Sequence, residues 1–222
     1  MMTLTYPLLS APISFAENEI PVLIIENPME LRNFLYDLKC QISGQEGMSV
    51  LSENFEPIEI ANSLILLTDI LSVDFTTRKL INRIYEEIAL AAANHADTLR
   101  NSMIALNQIA LQIATEMEFD VNFVELTDPT PILKQFNFSV DVSNLSCVER
   151  LTLYIKLQQR FLKKKLVAVY NLKACLSSDE LNLFYQTILY EKLHILLIED
   201  IQRRHPLSIE HTFIIDRDLC IF

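Results

Sequence analysis

Glycine is nearly missing from this sequence: Gly44 and Gly47 are the only two in a chain of 222 residues, where average usage of about 7% would supply roughly fifteen. Folds that cradle phosphates in a loop need glycine where backbone N–H groups approach the ligand closely. No G-x-x-x-x-G-K-[ST] or G-x-G-x-x-G segment is present, which argues against ATP and NAD sites of the common kinds. G-x-S-x-G is absent as well, so a serine nucleophile has no elbow to sit on. Cysteine is scarce and scattered. Cys40, Cys147, Cys175 and Cys220 form no C-x-x-C pair, so reduced thiols in a cytoplasmic protein are expected rather than a disulfide framework. The four histidines, His95, His194, His205 and His211, lack metal spacing and read as core or surface residues, with Arg204-His205-Pro206 as a surface turn. The N-terminal apolar stretches have no basic residues before them and are interrupted by Pro7 and Pro12, unlike a signal peptide. The longest uncharged helical stretch, 101–115, is too short to span a bilayer.

Apolar residues make up 50% of the chain, ample for a buried core. Acids outnumber bases, 29 to 18, for a net charge of -11; on its face this disfavours a simple basic nucleic-acid binder. The charge is segregated, however. Residues 1–69 hold ten acids against Arg32 and Lys39, whereas 149–165 hold Arg150, Lys156, Arg160, Lys163, Lys164 and Lys165 against Glu149 alone.

Between Pro57 and Pro129 neither proline nor glycine occurs, which suits long helices. Apolar positions recur at steps of three and four: Leu80, Ile84, Ile88, Ala91 or Ala92, Leu99, Met103, Leu106, Ile109 or Ala110, Ile113 and Met117. A continuous helix over them would run nearly 60 Å, with Asn94-His95-Ala96-Asp97 able to kink it or split it into two antiparallel helices. Short apolar runs at 21–25, 63–67, 166–170, 194–198 and 212–215 read as strands buried on both faces. Helical segments at 28–41, 146–162 and 178–190 separate them, the last capped by Ser177 or Ser178. The expected fold class is α/β, with a head from 1–73 and 145–222 and a helical leg, 74–144, inserted between its parts.

Few residues suggest chemistry. Asp69 closes an apolar strand, as the magnesium-holding aspartate of P-loop ATPases does, but such a residue is more often a turn cap. Glu116, Glu118, Asp120, Asn122, Glu125 and Asp128 form a dense oxygen-bearing segment. Such a set is able to supply the six to eight oxygens calcium takes, or is simply a solvated acidic surface; the glycine-bearing EF-hand loop is absent. Lys156, Arg160, Lys163 and Lys164, with Arg78, Lys79, Arg83 and Arg100 of the leg, are either solvated faces or a track for a phosphate backbone.

The runs Leu66-Leu67-Thr68-Asp69-Ile70-Leu71-Ser72-Val73-Asp74, Phe161 to Asn171, Leu176-Ser177-Ser178-Asp179-Glu180, Leu196-Leu197-Ile198-Glu199 and Thr212-Phe213-Ile214-Ile215-Asp216 resemble the accessory adaptation protein family of type II-A CRISPR systems. The resemblance implies a degenerate P-loop NTPase-like head with an elongated helical leg. It also implies a non-enzymatic homotetrameric ring that holds double-stranded DNA ends in a basic central hole during spacer acquisition. Calcium is the implied cofactor, with Glu116, Glu118, Asp120, Glu125 and Asp128 as its ligands by location. Lys156, Arg160, Lys163, Lys164, Arg78, Arg83 and Arg100 are then the residues that meet DNA. The CRISPR integrase complex and the RNA-guided effector nuclease are the implied partners, with no membrane involved. Competing readings are a degenerate ATPase or nuclease using Asp69, and a scaffold that binds only proteins.

Overall fold

The structure, a computed structural model, describes residues 1–203 and 206–220; His205 lies outside the described residues. The chain divides into two compact units, Met1–Asp74 with Val142–Phe222, and Phe75–Asp141. In chain order the first part contains β1 (Met2–Thr5), β2 (Ile13–Phe15), β3 (Ile20–Ile25), α1 (Pro28–Ile42), β4 (Val50–Glu53), β5 (Glu56–Ile58), α2 (Ile60–Ser63) and β6 (Leu64–Leu67). The inserted unit holds α3 (Arg78–Ala92), α4 (Ala96–Glu116) and α5 (Thr130–Gln135). The chain then returns through α6 (Cys147–Leu162), β7 (Leu166–Tyr170), α7 (Ser178–Tyr190), β8 (Ile195–Glu199) and β9 (Glu210–Ile215).

The five apolar runs form one sheet, in the order β6-β7-β8-β3-β9, and every pair in it is parallel. This is the mixed α/β architecture that the runs imply, because a parallel sheet is covered on both faces. Side chains alternate across it. Leu23, Ile25, Leu166, Ala168, Leu196 and Ile198 share a core with Leu31, Phe34 and Leu38 of α1 and with Leu4, Ile13 and Leu51. The alternate residues Val22, Ile24, Val167, Val169 and Leu197 are equally buried, on the face where α6 and α7 bury Leu151, Ile155, Phe184 and Ile188.

Both covering helices start at a reciprocal cap. Ser146 accepts from the Glu149 N–H while Glu149 accepts from the Ser146 N–H, and Ser177 and Glu180 repeat the pattern at α7. Each pair satisfies two helix N–H groups that have no intrahelical partner.

A second, antiparallel sheet, β2-β1-β4-β5, was not evident in the sequence. Its strands have three or four residues, and its β4–β5 turn uses no glycine. Asn54 and Phe55 hold φ of 52° and 69°, the two positive values a two-residue hairpin needs, while the chain's N-terminal ammonium donates to Asn54 Oδ1 at 2.7 Å.

In the inserted unit, helical or 3-10 geometry runs from Arg78 to Glu116, with a 3-10 turn at Ala93–His95 between α3 and α4. That turn falls on the Asn94–Asp97 cluster. Leu80 is the buried residue of α3, and α4 has none.

Candidate functional site

A phosphate-holding loop joins a strand end to a helix N-terminus, and the β3–α1 junction is one such place in the parallel sheet. Here two residues, Glu26 and Asn27, join the strand to the helix. The Asn27 side chain accepts from the Met29 and Glu30 N–H groups at 3.0 and 3.3 Å, and its amide donates to the Arg217 carbonyl. Pro28 at the first helical position has no N–H to offer, and Glu26 and Glu30 add negative charge beside it. The helix end that would hold a phosphate is occupied by the protein itself.

Asp69, just beyond β6, accepts from the Leu71 N–H at 2.9 Å and from the Ser72 hydroxyl. These bonds, the hydroxyl foremost, hold its carboxyl below the usual range. It serves as a turn cap.

The basic residues differ sharply in what they touch. Lys156 donates to Glu191 at 2.6 Å, tying α6 to the end of α7. Lys164 donates to the Ala61 carbonyl at 2.7 Å and the Leu64 carbonyl at 3.3 Å, closing the last turn of α2. Arg160 lies over the Phe161 ring at 5.3 Å, and Lys163 ends α6 in a left-handed conformation; both are exposed. In the inserted unit Arg78, Lys79, Arg83 and Arg100 are exposed, with Arg83 paired to Glu86 at 2.6 Å. Arg160, Lys163 and the basic residues of the leg are thus exposed, whereas Lys156 and Lys164 are half-buried and engaged within the head.

The acidic segment begins at the end of α4. Glu118 and Asp120 line a concavity of about 730 Å³ with Met117, Phe119 and Phe123. Asp128 instead folds onto Thr130 at the start of α5, accepting from its N–H and hydroxyl at 3.0 and 2.8 Å, which holds its carboxyl below the usual range. Asn107 of α4 anchors the segment by exchanging hydrogen bonds with the Leu126 backbone at 3.1 and 2.9 Å. Among the described residues no three carboxylate, histidine or cysteine side chains converge on a point that would hold a metal. In this arrangement the five candidate ligands do not fit a calcium cage, which needs six to eight oxygens.

The sequence profile of the CRISPR-associated protein family Cas_Csn2 matches residues 41–219. The chain belongs to the Csn2 family. This supports the reading of a CRISPR adaptation-associated protein. A comparison with curated proteins finds no match. Among solved structures, 95% of this Csn2-family chain aligns with 94% of a putative ABC transporter ATP-binding protein from Pyrococcus furiosus. Identity is 10% and the TM-score 0.40, a likeness too slight to carry an argument. No helix among the described residues is long and apolar enough to cross a membrane.

One polar group in this Csn2-family head escaped the sequence reading. Lys173, nearly inaccessible, pairs with Glu210 at 2.8 Å, and Glu210 also accepts from the Tyr185 hydroxyl at 2.7 Å. Beside them Glu199 has no solvent exposure. One of its oxygens accepts from the Lys173 N–H at 3.0 Å, while the other has no hydrogen bond and lies 4.0 Å from Arg203 Nε. Burial raises its pKa to about 7 against these favourable interactions. The available signal was the run Ile195-Leu196-Leu197-Ile198, ending in two adjacent carboxylates.

Proposed function

We propose that the protein is a non-catalytic, double-stranded DNA end-binding protein of CRISPR spacer acquisition, which assembles as a homotetrameric ring and takes linear DNA through a basic central hole. The observation that carries this reading is the uncovered leg. Leu106, Ile109 and Ile113 lie on one face of α4 at steps of three and four and are about half exposed, and Phe119 and Val124 just beyond are more so. A soluble protein rarely leaves so continuous an apolar surface to water, and a second copy of the same element is the economical cover.

A ring reconciles a net charge of -11 with DNA binding. The acidic exterior repels DNA at long range, while Arg160, Lys163, Arg78, Arg83 and Arg100 from several subunits line a hole that phosphates enter. Binding of this kind is indifferent to base sequence. The ATPase alternative finds no support at the β3–α1 junction, where the phosphate position is filled by Asn27 and flanked by glutamates. Calcium is proposed to bind only a rearranged acidic segment, in which Asp128 leaves Thr130. The integrase complex and the RNA-guided effector nuclease are the proposed partners.

The test is sedimentation of the full chain at micromolar concentration together with DNA binding. The proposal expects a tetramer that binds linear duplex; a stable monomer that ignores linear duplex contradicts it.

A further inference from the structure

Beside α1 the head holds a cavity of about 600 Å³, within the roughly 300–1,000 Å³ of small-molecule sites. It opens at the carboxyl ends of β3, β6, β7 and β8, marked by Ile25, Leu66, Tyr170 and Asp200, where open parallel sheets take their ligands. The cavity exists because cover runs out. α2 is a single turn, so no full helix leads into β6. Leu64 and Ala168 are sealed, whereas Leu66 and Tyr170, nearer the strand ends, are only partly buried.

Its walls divide by chemistry. Leu31 and Leu35 of α1 face Leu66 and Tyr170 as an apolar slot. Arg32 and Lys39 stand on the α1 rim, about 10 Å apart along the helix, and both are exposed. At the strand ends Glu26, Thr68 and Asp200 supply oxygens.

We infer that this cavity binds a nucleoside monophosphate group. The base lies in the slot between Leu35, Leu66 and Tyr170, its edge meets Glu26, Thr68 and Asp200, and the phosphate reaches Arg32 and Lys39. An apolar body, cations at one rim and acceptors at the other fit this class better than its rivals. A simple apolar molecule uses neither rim. A fatty or aromatic acid satisfies the cations but leaves the strand-end oxygens unmatched, whereas the amino groups of adenine, cytosine and guanine donate to such acceptors. Aromatic and apolar walls hold a base by its face with little regard to sequence. The phosphate is held here by side chains rather than by the N-terminus of α1, which Asn27 and Pro28 close.

Two sources present this chemistry: a free mononucleotide, and the frayed terminal nucleotide of a DNA strand. The second rests on the DNA-end reading proposed above. The test uses the full chain and three fluorescent probes. These are free 2-aminopurine deoxyriboside monophosphate, a linear duplex with 2-aminopurine at its terminus, and the same duplex with the probe at its centre. A saturable response of the free and terminal probes, but not the central one, is expected. Arg32→Gln with Lys39→Gln, both exposed helix positions, should weaken it roughly tenfold while circular dichroism keeps the parent's folded signal. A response of the free probe alone keeps the cavity and removes the strand-end source. No response of either probe up to about 10 mM, a tenfold step beyond millimolar affinity, overturns the inference even if the duplex binds. Failure of the duplex to bind at all, with the free probe still captured, overturns the DNA-end reading and not the cavity.

Discussion

Glu199 is the residue at which burial and charge conflict most directly. Its side chain has no exposure and one oxygen has no hydrogen bond, so burial raises its pKa from 4.5 to about 7. A carboxyl with a raised folded pKa holds its proton more tightly folded than unfolded. Its cost is therefore absent below about pH 4.5, grows as pH rises to about 7, and is constant above, at roughly 3 kcal/mol. Glu199→Gln keeps an acceptor for the Lys173 N–H and removes the charge. Thermal melting should show the variant more stable than the parent at pH 8 and nearly equal to it at pH 4.5; equal effects at both values contradict the assignment. Lys173→Met tests the neighbouring pair. It leaves the buried Glu210 carboxylate without its cation, with the Tyr185 hydroxyl and the Leu207 N–H still donating to it, and chemical denaturation should register a loss of about 3–5 kcal/mol.

At the scale of elements, caps and apolar faces make separate predictions. Ser146→Ala and Ser177→Ala each remove a reciprocal cap and should cost about 1 kcal/mol by denaturant titration. Ile109→Asp with Ile113→Asp, on the exposed face of α4, should lower the association state seen in sedimentation while circular dichroism keeps its helical signal. The strands of the parallel sheet and the three long head helices, α1, α6 and α7, were legible because apolar runs and 3.6-residue periodicity are local signals. The antiparallel sheet was not. Strands as short as Ile13–Phe15 and a hairpin turned by Asn54 and Phe55 offer neither length nor glycine to read. The same limit applies to the charged residues. Spacing placed Lys156 and Arg160 on one face, but Glu191, which claims Lys156, lies 35 residues away, and the Ala61 carbonyl that claims Lys164 lies 103 away. Asp128 likewise reads as one acid among five until Thr130 folds against it.

The whole molecule is acidic, and its DNA reading depends on assembly concentrating a minority of cations. Affinity should fall steeply with salt, since each lysine or arginine that meets a phosphate releases counterions. Arg160→Gln with Lys163→Gln should weaken binding to every sequence alike and flatten the slope of log K against log salt by roughly one unit for each phosphate left without its cation. The most direct measurement of the central claim compares one DNA in two topologies. Equal lengths of linear and covalently closed circular duplex are titrated with the full chain at one salt concentration. A ring that loads from an end predicts saturable binding of the linear form and little of the circle, with capture of the circle restored once it is cut. Equal affinity for the two forms contradicts threading through a closed ring.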